Sequence, residues 1–184
     1  MATRLLLLLV AFALPLQAAE VAGVKFDDSV RLADTALALS GAGLRQRFIF
    51  DVYAMGLYVR EPKGDLVMQS GPKRIAMRML RDVDAETFAQ ALVDGMRPNH
   101  SEAAMQALAP RIAELNAVMA QMKEAKKGMA ITLDWLPGTG TQVTVNGTFT
   151  GAPIAGEDFY QALLRIWLGP KPVQEDLKKA LLGG

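Results

Sequence analysis

The chain has 184 residues, one His and no Cys, and its 20 basic residues nearly balance its 19 acidic ones, for a formal charge of +1. That length suits a single domain. One His excludes a multi-histidine metal centre, the lack of Cys excludes disulfides, thiolate zinc sites and cysteine nucleophiles, and the charge balance gives no electrostatic case for nucleic-acid binding.

The first nineteen residues read as an address. Arg4 gives a positive start, Leu5 to Leu14 is uncharged and apolar, Pro15 interrupts the run, and Leu16-Gln17-Ala18-Ala19 ends in small residues. This pattern predicts a cleaved secretory signal over 1–19 and an exported, periplasmic domain over 20–184. The apolar run is short of the ~20 residues that span a bilayer. No Cys follows it to carry lipid, so no stable membrane anchor is expected after cleavage.

Val24 to Leu32 and Thr35 to Leu39 alternate apolar and polar residues as strands do. Ser40-Gly41-Ala42-Gly43 reads as a turn, and Leu44 to Tyr58 as the clearest strand region, with Phe48, Phe50 and Val52 on one face and Arg45, Arg47, Asp51 and Tyr53 on the other together with Ile49. Pro62 to Asp65 closes it, and Lys73 to Arg81 is a half-buried strand.

The period then changes. Asp84 is placed to cap a helix through Phe88, Leu92 and Met96, stopped by Arg97-Pro98-Asn99. Ser101 is placed to cap a second helix, whose stripe Leu108, Ile112, Leu115, Met119 and Met122 faces a core. Pro110 inside that stripe predicts a kink or two abutting helices. Met129 to Leu136, Thr141 to Val145 and Thr148 to Gly151 form an antiparallel meander, with Asn146-Gly147 as a strong hairpin signal. A helix over Glu157 to Leu168 and a last one to about Leu182 flank the break Gly169-Pro170-Lys171-Pro172. This order is that of an α+β fold, one antiparallel sheet with helices gathered on it.

The catalytic inventory is thin. Gly138-Thr139-Gly140 lacks the third glycine and the helix of a dinucleotide loop, and neither a phosphate-binding loop nor a Gly-x-Ser-x-Gly elbow is present. His100 lies in a turn before a helix, and Asp82 and Asp84 lie at a strand-to-helix junction; capping or surface roles suit all three. No catalytic residue, metal ligand or cofactor site is nominated.

Leu39-Ser40-Gly41-Ala42-Gly43-Leu44-Arg45, then Val52-Tyr53-Ala54-Met55-Gly56-Leu57-Tyr58, resembles the chalcone isomerase-like family, as do Trp135-Leu136-Pro137-Gly138, Val145-Asn146-Gly147 and Ile166-Trp167-Leu168-Gly169. The resemblance implies an open-faced β-sandwich, a large antiparallel sheet with helices packed on one side. It also implies one of two functions. Chalcone isomerases use an Arg to stabilise an oxyanion, helped by a Thr, a Tyr and an Asn; fatty-acid-binding relatives use the Arg with a Tyr to hold a carboxylate above an apolar cleft. Arg45 matches the Arg and Tyr53 the Tyr of the binding version. At the isomerase Tyr and Asn positions stand Phe88 and Gly95, or Thr87 and Asp94 after a one-residue shift.

The expectation is a non-catalytic binder of a fatty acid or similar amphipathic carboxylate, with Arg45 and Tyr53 as ligand-binding residues and no cofactor. The alternative is an intramolecular lyase built on Arg45. A third is an interaction module with an exposed apolar patch and no internal cavity. Eight residues along a straight strand span roughly 26 Å, so a bulge is needed if Arg45 and Tyr53 are to meet on one ligand group.

Overall fold

The computed structural model describes residues 19–184. The expected signal segment lies outside the described residues except for Ala19, which belongs to the first strand. Strands β1 (Ala19–Val21) and β2 (Val24–Phe26) make a small separate hairpin. Seven others, β3 (Ser29–Leu32), β4 (Thr35–Arg47), β5 (Phe50–Val59), β6 (Lys73–Met79), β9 (Ala130–Leu136), β10 (Gly140–Val145) and β11 (Thr148–Ile154), form one sheet in the order β11-β10-β9-β6-β5-β4-β3. Every neighbouring pair is antiparallel. Helices α1 (Ala85–Met96) and α2 (Glu102–Ala120) sit between β6 and β9 in sequence, α3 (Glu157–Leu168) and α4 (Glu175–Leu181) follow the sheet, and the short pair β7 (Val83–Asp84) and β8 (Glu124–Ala125) ties the start of α1 to the end of α2. This is the expected α+β architecture.

Strand alternation explains the layering. In β5 the side chains of Tyr53, Met55, Leu57 and Val59 join Ile75, Met77, Ile131 and Leu133 against the helices. Ala54 and Tyr58 point the other way, into a smaller cluster with Phe26, Leu32 and Leu37. Gly56 lies on that second side; a Cβ there would fall 2.7 Å from the Phe26 ring, so the missing side chain lets Phe26 press on the sheet. Polar residues of that face pair off, as Arg74 donates two 2.7 Å hydrogen bonds to the buried Asp134 carboxylate.

The helix signals hold. Asp84 accepts from Thr87 N at 2.9 Å and Ser101 from Ala104 N at 3.2 Å, each capping the helix that follows. Asn146 and Gly147 both take positive φ, 49° and 83°, as their hairpin turn requires. Pro110 does not divide its segment, because α2 runs unbroken from Glu102 to Ala120.

Two expectations about the N-terminal half are overturned. Leu44 to Tyr58 is not one strand: the chain reverses at Phe48-Ile49, with Arg47 opposite Phe50. Ser40-Gly41-Ala42-Gly43 is not a turn but the middle of β4. Its glycines serve close approach. A Cβ on Gly41 would stand 2.0 Å from the Ala180 carbonyl oxygen and one on Gly43 2.8 Å from Ala180 Cβ, so α4 lies almost on the strand backbone.

Candidate functional site

The reversal at Phe48-Ile49 decides the site. It makes Arg45 and Tyr53 directly opposed partners on adjacent antiparallel strands, so the ~26 Å separation expected along a straight strand does not arise. The bulge invoked to join them is present, between Arg45 and Gln46, but the turn does the joining. Both residues line a cleft of about 650 Å³, bounded by the β4–β5 hairpin, by α1 and by the Lys171-Pro172-Val173 segment before α4. That volume lies within the ~300–1,000 Å³ of small-molecule sites. Val52, Phe88, Leu92, Ile166 and Val173 give it apolar walls.

Arg45 is oriented by neutral groups. Its Nη1 donates to its neighbour Gln46's carbonyl oxygen and stands 3.3 Å from Gln174 Oε1. Among the described residues no carboxylate lies within ion-pair distance of the guanidinium. Gln174 also accepts from Gln46 N at 2.8 Å and donates to Leu44 O at 3.1 Å. The pairing of β3 with β4 covers only Thr35 to Ala38, so on that side this stretch of β4 is a free edge, and the Gln174 amide satisfies it as a neighbouring strand would.

Tyr53 is buried, and its hydroxyl accepts a hydrogen bond from Trp167 Nε1 at 2.9 Å. Its own proton has no acceptor among the described residues, so it remains available to a ligand. Burial pushes the phenol pKa up, and the Trp167 bond and the nearby Arg45 charge pull it only part of the way back. Tyr53 is therefore a neutral donor beside a permanent cation. Phe88 meets its ring edge-on, with centroids 6.3 Å apart at 83°.

Sequence reasoning nominated Arg45 and Tyr53, which the structure brings together in one cleft, and missed two residues that hold them. Trp167 stands in the Ile166-Trp167-Leu168-Gly169 motif but reads there as one more apolar residue of α3, and Gln174 carries no motif; the role of neither is visible locally, because each acts across more than a hundred residues. Asp84 lines the cleft while capping α1, and Asp82 lines it while accepting from Lys127 N at 2.7 Å. His100 Nδ1 is 2.8 Å from the Met96 carbonyl, a local contact at the end of α1.

A family model described as chalcone isomerase-like matches residues 18–183. The chain belongs to that family. A solved fatty-acid-binding protein of Arabidopsis thaliana superposes on it with a TM-score of 0.68 at 15% identity, over 87% of this chain and 92% of that one, a likeness of fold. A comparison with curated proteins finds no match by sequence.

In this chalcone isomerase-like chain all four candidates for the isomerase Tyr and Asn positions, Thr87, Phe88, Asp94 and Gly95, border the cleft. Phe88 packs on Tyr53, and a Cβ on Gly95 would lie 2.7 Å from Ile166 Cγ2, so that glycine lets α1 and α3 close together. Asp94 is occupied by Gln90 Nε2 at 2.8 Å and by Arg97 at 3.9 Å.

Proposed function

We propose that this protein is a non-catalytic carrier that holds a fatty acid or similar amphipathic carboxylate in the Arg45–Tyr53 cleft. The observation that carries this reading is a guanidinium that, among the described residues, has no carboxylate partner, set beside a buried hydroxyl whose proton has no acceptor among them, at one side of an apolar-walled cleft. A carboxylate accepts from both groups at once, since Arg presents parallel donors and Tyr adds another. The acyl chain then gains ~0.8 kcal/mol for each methylene taken from water. The Arabidopsis protein of like fold is named as a fatty-acid-binding protein, which supports the same ligand class. We further propose export to the periplasm, on the strength of the positive start, apolar run and small-residue boundary of 1–19.

Calorimetric titration with palmitate tests the ligand reading. Arg45→Ala should weaken binding about a hundredfold and Tyr53→Phe about tenfold. Unchanged affinity in both would remove the pair from the site. Cyclisation of a chalcone by the wild type, lost in Arg45→Ala, would instead establish the lyase alternative, in which the same guanidinium stabilises an oxyanion.

A further inference from the structure

The β4–β5 turn carries a run of exposed apolar side chains, two of them the most exposed large apolar residues among the described ones. Phe48 is 89% exposed, Ile49 85% and Phe50 51%, and all three are consecutive. Phe48 holds a positive φ of 56°, where glycine or asparagine is at ease and a bulky aromatic is strained. Turn chemistry therefore does not explain this residue. Two cations flank the tip: Arg47 is the cross-strand partner of Phe50, and the Arg81 guanidinium lies 4.6 Å from the Phe50 ring centroid. Among the described residues neither has a carboxylate within ion-pair distance. The nearby acids Asp51, Asp82 and Asp84 keep their charge but accept from neutral donors, Gln46 Nε2, Lys127 N and Thr87 N, and none pairs with Arg47 or Arg81 among the described residues.

We propose that this tip docks on an anionic phospholipid surface, Phe48 and Ile49 entering the acyl boundary while Arg47 and Arg81 meet the headgroup phosphates. A narrow apolar wedge between cations has the make-up of an interfacial anchor. The three side chains expose on the order of 400 Å². A stable protein partner needs ~800 Å² from each side, so a bilayer fits the tip better than a second protein. Arg47, Phe48 and Phe50 also border the cleft, so a docked tip would open the cleft directly onto the membrane. Docking stands on the tip's own residues; its use in loading or unloading an acyl chain rests on the carrier reading above.

Co-sedimentation with vesicles tests it, comparing phosphatidylcholine alone with a phosphatidylcholine–phosphatidylglycerol mixture. The wild type should bind the mixture, more weakly as salt rises, and bind phosphatidylcholine little. Ile49→Ser should reduce association about tenfold. Ile49 does not line the cleft, so this variant should keep wild-type affinity for soluble palmitate and thus report its own folding. Phe48→Gly should lose association while melting no lower than wild type, because the turn conformation suits glycine. No sedimentation with either vesicle, or association that survives both substitutions, overturns the proposal. So does tip-dependent capture of a protein in the absence of vesicle binding. Vesicle binding without palmitate binding would retain the docking and remove the carrier reading; the converse result would do the opposite.

Discussion

At the scale of single residues, the proposed anchors Arg45 and Tyr53 are held by partners far away in the sequence. Trp167 donates to the Tyr53 hydroxyl, whose own proton has no acceptor among the described residues. Trp167→Phe should weaken palmitate binding a few-fold and cost about 1–2 kcal/mol of stability. In the Tyr53→Phe background the same change should leave affinity where it already is, since the two residues act as one unit; additive losses in this double-mutant cycle would make Trp167 merely a packing residue. Lys73 is a different case. Its side chain is 1% exposed, its Nζ has no hydrogen-bond partner among the described residues, and Glu157 approaches only to 4.0 Å. Burial lowers its pKa below the ordinary lysine value. The unfolded chain then holds the proton more tightly, so the lysine's contribution to stability rises with pH toward its ordinary value of about 10.4. Lys73→Met should raise stability at neutral pH by about 1–3 kcal/mol. The advantage of the variant should shrink as pH rises toward the ordinary lysine value, as thermal melts of both proteins would show.

At the scale of elements, the hairpin and the α4 contact decide whether a site exists. The alternating pattern of Leu44 to Tyr58 was legible, and so was the presence of Arg45 and Tyr53. The reversal was not, because Phe48-Ile49 contains none of the residues that mark a turn and Phe48 occupies its positive φ against steric preference. The glycines Gly41 and Gly43 misled in the opposite direction. They resemble turn residues, yet what demands them is a helix from the far end of the chain. By contrast, Asp84, Ser101 and Asn146-Gly147 were readable since their partners lie within a few residues. Gly41→Ala should destabilise the protein by about 2–3 kcal/mol or more, because the added methyl meets the Ala180 backbone rather than a side chain that can move. A urea melt measures it. The same variant should weaken palmitate binding, since α4 carries with it the Gln174 amide that orients Arg45.

At the scale of the whole molecule, the two faces of the sheet divide the work. One packs on α1 and α3, whose facing surfaces leave the cleft open near the β4–β5 hairpin, while the other is closed by the β1–β2 hairpin side chains and the Arg74–Asp134 pair. The fold class followed from the succession of periods along the chain, and the family from motifs spread over most of it. The ligand follows from neither, since one fold hosts catalysts and carriers alike; it has to be argued from an unpaired cation, a free phenol proton and an apolar wall. The most direct test of that argument is native mass spectrometry of the purified protein, with identification of whatever leaves it on denaturation. The account predicts a stoichiometric long-chain carboxylate on the wild type and none on Arg45→Ala. A protein that is empty in both forms, or one whose bound molecule carries no acid and survives Arg45→Ala, would contradict it.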